Sequence, residues 1–190
     1  MNKNIILIGA FTETIELCES CGYSIIGVID NEVNGSYCGY PILGCDDDAG
    51  ILAKKYRDVL LVISPDSSAA KRKLYKKYSE IGFSFATVIS PRAYISKSAC
   101  VGEGCIIQSG VNISSNAVIG KFCKLNTNCN IMHDVKIGSF SIIAPNAVVL
   151  GRSIIGEGVY IGANATVEHD TRIDDGFKVA TATYFTSNKL

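Results

Sequence analysis

From Ile95 onward an aliphatic side chain returns every sixth residue without slippage. The series runs Ile95, Val101, Ile107, Ile113, Ile119, Leu125, Ile131, Ile137, Ile143, Val149, Ile155, Ile161, Val167, Ile173 and Val179. A second register, four places on, runs from Ala99 and Cys105 to Thr183 and holds small or slim residues everywhere except Phe177. Glycine follows the aliphatic residue at Gly102, Gly120, Gly138, Gly156 and Gly162. A period of six fits neither the 3.6 of a helix nor the two-residue alternation of a hairpin array. It fits a coil with three flat sides, in which each side is a short strand followed by a corner. The aliphatic residue points inward and the small residue lets the chain turn. Three hexads make a coil of 18 residues, and stacked coils pair strand to strand in parallel at about 4.8 Å. Residues 95–184 are therefore expected to form five coils of a parallel β-helix. With no tryptophan and 8% aromatic residues, the core must be aliphatic.

The first ninety residues lack this beat. Asn4–Ala10, Ser24–Asp30, Val59–Ser64 and Ser84–Ile89 read as apolar strands. Thr12–Cys21, Asp46–Tyr56 and Pro65–Ile81 read as helices between them, and Asn34-Gly35 and Gly39-Tyr40-Pro41 as turns. Alternating strands and helices imply a small parallel, Rossmann-like sheet over residues 1–90. Ser90-Pro91 marks the boundary to the β-helix of residues 91–190. Ligands of such sheets sit beyond the strand C-termini, here Gly9 to Glu13, Asp30-Asn31 and Ser64-Pro65-Asp66. The first loop has a single glycine, which argues against a dinucleotide. Asp30 is placed either to hydrogen-bond a ribose hydroxyl or to close its own turn.

Eighteen basic and eighteen acidic side chains give zero formal net charge. No electrostatic reason exists to expect nucleic acid or an anionic membrane as partner. The apolar run Ile5–Ala10 is too short for a signal-peptide core, and no stretch approaches a membrane span. A cytoplasmic chain with eight reduced cysteines is the expectation. Cys18, Cys21, Cys38 and Cys45 contain one C-x2-C spacing, but Cys18 and Cys21 share a helix's apolar face, and no metal is expected. Cys105, Cys123 and Cys129 fall in the small register as core fillers. The Lys71-Arg72-Lys73, Lys76-Lys77 run reads as a solvated helix face.

Two histidines occur, His133 before Asp134 and His169 before Asp170. They lie two whole coils apart at one hexad position, with Gly151 midway. The column His133, Gly151, His169 therefore runs down one edge, pointing outward to solvent or to a neighbouring subunit. On spacing alone each is a surface histidine.

The combination is more specific than its parts. A Rossmann-like domain precedes a hexapeptide β-helix. Within that helix lie Asn126-Thr-Asn-Cys-Asn-Ile-Met-His133-Asp134, Ala144-Pro145-Asn146-Ala-Val-Val-Leu-Gly151 and Ile155-Gly-Glu-Gly-Val-Tyr-Ile-Gly. This arrangement resembles the NeuD/PglD-like sugar acetyltransferases over nearly the whole chain. The resemblance implies a left-handed β-helix, a homotrimer with sites between subunits, acetyl-CoA as co-substrate and a nucleotide-linked amino sugar as acceptor. It implies that His133 is the general base, that Asp134 raises its basicity, and that the Gly151 N–H meets the thioester carbonyl. Asn126, Ile142, Ala163 and Thr181 fall at cofactor-side positions, and Gly9, Phe11, Thr12, Glu13, Asp30 and Asn31 on the acceptor side.

The departures concern the acceptor and the cofactor rather than the base. A glycine-glycine-histidine of the family is Phe11-Thr12-Glu13 here, and a glycine-asparagine is replaced within Ser64-Pro65-Asp66. A cofactor-contacting histidine is Ile142, and the usual glycine-valine-proline-alanine tail has no counterpart in Tyr184–Leu190. The expected activity is N-acetylation of a nucleotide-linked amino-deoxy sugar for a bacterial surface glycan. Sugar O-acetylation, on a sialic-acid-like hydroxyl for example, is the alternative. A non-catalytic trimeric sugar-nucleotide binder is a reading of another class.

Overall fold

The computed structural model describes residues 4–186. The last four residues of the C-terminal tail lie outside them. The chain divides into two compact units that meet in the sequence at Val88 and Ile89.

In the N-terminal unit, β1 (Asn4–Ile8) leads to α1 (Thr12–Ser20), β2 (Ser24–Ile29), the hairpin of β3 (Ser36–Tyr37) and β4 (Tyr40–Gly44), α2 (Ala49–Lys55), β5 (Leu60–Ile63) and α3 (Ser68–Glu80). The sheet order is β3-β4-β2-β1-β5. Four strands run parallel and β3 pairs antiparallel at the edge. Strands β1 and β5 are nearly continuous apolar runs, as sheets covered on both faces require. Ile5, Ile6, Leu7, Leu61 and Val62 are all buried.

Three expectations need correction here. Ser84–Ile89 is not a fourth strand of this sheet: Phe85 makes a lone parallel bridge to Leu61. The fourth parallel strand is β4, in a segment read as turns. Its hairpin turns through Cys38 and Gly39, both at positive φ, the geometry that suits strand twist in a two-residue loop. Finally, the basic run is not uniformly solvated. Lys71 is 1% exposed, while Arg72, Lys73 and Lys76 are exposed.

The second unit is a three-sided prism of two-residue strands. Its sheets have six, five and six strands. Face 1 begins at Val88–Ile89, face 2 at Tyr94–Ile95 and face 3 at Cys100–Val101. Every pairing is parallel and steps by one coil, as Asn112↔Asn130 and Asn130↔Val148 show. The prism starts one hexad before the expected Ile95, at Ile89, and runs to Phe185. Both residues keep the six-residue beat. Pro91 therefore sits in the first corner, where its fixed φ suits a turn, with Ala93 N–H donating to Ser90 O.

The aliphatic and small registers fill the interior, from Cys105 and Ile107 to Ile173 and Val179. The small polar members also bond between coils. Cys105 and Cys123 donate to Gly120 O and Gly138 O, Ser141 to Gly156 O and Ser153 to Glu168 O. These bonds satisfy side chains that would otherwise be costly to bury.

The corner itself is made by a different residue from the small one expected to turn it. The residue three places after each inward aliphatic adopts left-handed φ, from Gly104, Gly110 and Asn116 through Asp134, Arg152 and Asp170 to Ala182. Glycine, asparagine and aspartate tolerate that conformation best, and they hold most of these corners.

Candidate active site

His133, Asp134 and Gly151 lie together on the edge between faces 2 and 3. Asp134 holds the left-handed corner (φ 60°), which turns its carboxylate back toward the preceding side chain. His133 Nδ1 lies 2.8 Å from Asp134 Oδ2. Hydrogen bonds from His133 and then Asn116 lower the Asp134 pKa below the usual carboxylate value, against a smaller opposing effect of burial. Asp134 is thus an acceptor-only anion in neutral solution, and the shared proton belongs to Nδ1. With Nδ1 as the donor, the lone pair of the neutral ring lies on Nε2, the nitrogen nearest Gly151. The imidazole is about half exposed, at 48%.

The ring lies over Gly151. A Cβ at Gly151 would stand 2.7 Å from both Cε1 and Nε2 of His133, so no other residue fits beneath the ring as it stands. Among the described residues, the Gly151 N–H donates no hydrogen bond. Its carbonyl, by contrast, accepts from Asp170 N–H. The edge thus brings an imidazole nitrogen beside an unpartnered backbone donor, with Gly151 itself buried beneath the ring. This is the pair needed to take a proton from a nucleophile and to hold an oxyanion.

His169 and Asp170 repeat the pair two coils on. Their separation is again 2.8 Å and the ring exposure 48%. Their surroundings differ. Arg152 grips Asp170 through Nε at 2.6 Å and Nη2 at 2.8 Å. Hydrogen bonds from Arg152 and then His169 hold the Asp170 carboxyl well below its ordinary pKa.

The cofactor-side candidates are not on this edge. Asn126, Ala163 and Thr181 occupy the edge between faces 1 and 2, and Ile142 lies on face 1. Asn126 is 9% exposed and its amide donates to Ile143 O at 3.0 Å. Ile142 is 4% exposed. Thr181 is exposed and Ala163 half-buried. A single chain therefore does not gather the base and these positions into one site.

The acceptor-side candidates fall in the N-terminal unit. Gly9, Phe11, Asp30 and Asn31 line an open cleft of about 500 Å³ at the C-terminal ends of β1 and β2. Asp30 holds its own turn and ties it to the loop after β1. Its Oδ2 accepts from Ala10 N–H, and Oδ1 from Glu32 and Val33 N–H. Burial alone would raise its pKa, but those three bonds bring it below the usual value. Asn31 is committed to Asp46 through two reciprocal hydrogen bonds. Thr12 and Glu13 lie outside the cleft wall. Thr12 opens α1 and turns toward the hairpin, 3.0 Å from the Tyr37 hydroxyl. Lys73, missed in the sequence because the whole run looks like one solvated face, lines the cleft from α3.

No helix among the described residues is long and apolar enough to cross a membrane. Among those residues no group of three or more histidine, cysteine or acidic side chains is placed to hold a metal ion. None of the eight cysteines is joined in a disulfide.

Comparison with known proteins adds a fold and a family. A variant of perosamine N-acetyltransferase from Caulobacter crescentus, in complex with CoA and GDP-perosamine, matches with TM-score 0.90 and 24% identity. The match covers 96% of this chain and 89% of that one. The acetyltransferase domain of PglB from Neisseria gonorrhoeae matches with TM-score 0.90 and 23% identity, over 97% and 92%. WeeI from Acinetobacter baumannii matches with TM-score 0.86 and 24% identity, over 97% and 91%. At these identities the likeness is one of fold. A search of curated proteins returns no match. The family model described as GMPPB C-terminal domain matches residues 89–183. Across that half of its length, the chain belongs to the GMPPB C-terminal domain family.

Proposed function

We propose that this chain is an acetyl-CoA-dependent N-acetyltransferase acting on the amino group of a nucleotide-linked sugar. The observation that carries the reading is His133, fixed by Asp134, lying over a glycine whose N–H has no partner among the described residues. Two fold relatives support the choice of substrates. One is described in complex with CoA and GDP-perosamine, and the PglB domain in complex with acetyl coenzyme A.

In this reading the sugar amine attacks the thioester carbonyl carbon while His133 Nε2 takes its proton. Asp134 stabilises the imidazolium that forms. The carbonyl oxygen becomes an oxyanion and accepts from Gly151 N–H. Collapse expels the CoA thiolate, which recovers the proton from His133. No acyl-enzyme is required, and positioning of the two substrates supplies much of the rate.

The N-terminal unit binds the acceptor through its Rossmann-like cleft, and the unit from Ile89 onward carries out transfer on a left-handed prism. The division of candidates between two prism edges supports a homotrimer. One subunit's face 2–face 3 edge would meet a neighbour's face 1–face 2 edge, with the acyl donor between them. The enzyme works in the cytoplasm, in surface glycan synthesis. A CoA-release assay across a panel of amino-sugar nucleotides tests the reading. Turnover with an amine acceptor, abolished in His133→Ala with the fold intact by circular dichroism, is the expected result. Turnover unchanged in that variant refutes it.

A further inference from the structure

Resting on that reading, we propose that Asn116 is a positioning residue of the transfer centre. Its amide fixes the Asp134 carboxylate so that His133 keeps its proton on Nδ1 and presents a bare Nε2 above Gly151.

Asn116 stands one coil before Asp134 on the same edge, in the same left-handed corner position (φ 59°). Its Nδ2 donates to Asp134 Oδ1 at 3.1 Å. The other oxygen, Oδ2, accepts from His133 Nδ1 at 2.8 Å. Each carboxylate oxygen thus has its own donor, and rotation of the group would cost one of them. Asn116 is itself held, because its backbone N–H donates to Ser98 Oγ at 3.0 Å. The chain of contacts is Ser98, Asn116, Asp134, His133 and then the face of Gly151.

The second pair shows what this arrangement selects. Asp170 has the same geometry toward His169, but the residue one coil before it is Arg152. A guanidinium bonds both of its oxygens and competes with the imidazole for their charge. Above Asp134 the holder is a neutral amide, which orients the carboxylate by a hydrogen bond, while the Arg152 guanidinium acts on it only as the weakest of the charge effects. The pair with the neutral holder is the one that stands over the glycine.

Two variants suit the left-handed corner and remove the donor. Asn116→Gly deletes the amide, and Asn116→Asp keeps its shape but offers only acceptors. Both should lower kcat by about tenfold to a hundredfold, with KM for the acyl donor unchanged. The ¹⁵N spectrum of the His133 imidazole should shift toward the Nε2–H tautomer in both. Gly176→Asn, at an open left-handed corner of the edge between faces 3 and 1, should keep the kcat and spectrum of the unaltered protein. Unchanged kcat and spectrum in the Asn116 variants would overturn the proposal. So would a kcat loss without the spectral change, or an equal loss in Gly176→Asn. If the unaltered protein acetylates no acceptor, the proposed function fails, and the imidazole spectrum alone decides the role of Asn116. A tautomer shift then sustains it and none overturns it.

Discussion

Replacing Gly151 by alanine separates chemistry from folding. The added Cβ would lie 2.7 Å from Cε1 and Nε2 of His133. Ordinary contact begins at 3.4 Å, so the ring must recede by about 0.7 Å. It can do so only by leaving its rotamer, at about 0.5–1.5 kcal/mol, or by stretching its 2.8 Å bond to Asp134. Either displacement moves Nε2 by a large part of an ångström, and a misplacement of about 1 Å costs roughly a hundredfold in rate. The backbone gives no comparable objection, because Gly151 is not among the positive-φ glycines. Stability should therefore change by no more than about 1 kcal/mol, a few degrees in Tm for a chain of this size. The assay is the rate of CoA release at saturating donor and acceptor, with Tm measured on the same preparation. Gly151→Ala should retain its Tm and lose about two orders of magnitude in kcat. A kcat within threefold of the unaltered protein would show that the ring's position over Gly151 does not matter to transfer. A collapse of Tm would show that the glycine serves folding.

Three further outcomes follow from the same geometry. His133→Ala should lose about a hundredfold to ten-thousandfold in kcat, whereas His169→Ala should stay within about threefold. The reverse pattern in CoA release would relocate the base. Burial, with smaller effects of Cys21 and Glu19, pushes the Cys18 thiol up to about 12, and burial does the same at Cys129. In native protein at pH 8, iodoacetamide should therefore modify the exposed Cys38 and Cys100 and spare Cys18 and Cys129 until denaturant is added, as read by peptide mass spectrometry. Asp30 has a folded pKa below its unfolded value. Its stabilising contribution is therefore present above about pH 4 and fades as pH falls through the lower folded value. Asp30→Asn should lower stability near neutrality and flatten the acid limb of the urea-denaturation profile. An unchanged limb would mean that the three backbone bonds contribute nothing.

The spacing of residues, without coordinates, determined the prism, its inward registers and the shared edge of His133, Gly151 and His169. It could do so because each coil repeats one local solution: a side chain 18 residues away is always the neighbour above or below. The left-handed corners were legible too, in the glycine, asparagine and aspartate at 104, 110, 116, 128, 134, 146, 158, 164, 170 and 176, though the eye follows the aliphatic beat first. In the N-terminal unit the same local reasoning found β1, β2, β5 and the helices, but missed β4. A strand of Tyr-Pro-Ile-Leu-Gly carries turn residues at both ends and acquires its partner only when β2 is beside it. Tertiary structure alone decided which histidine stands over a glycine with a neutral amide behind its carboxylate, and that Asp30 ties its own turn to the loop after β1. It also decided that Lys71 is buried, and that the cofactor-side positions lie on another edge from the base. These outcomes depend on side-chain rotamers and on distances across coils and helices. Periodicity sets which residues are neighbours, but not which atoms of those neighbours meet.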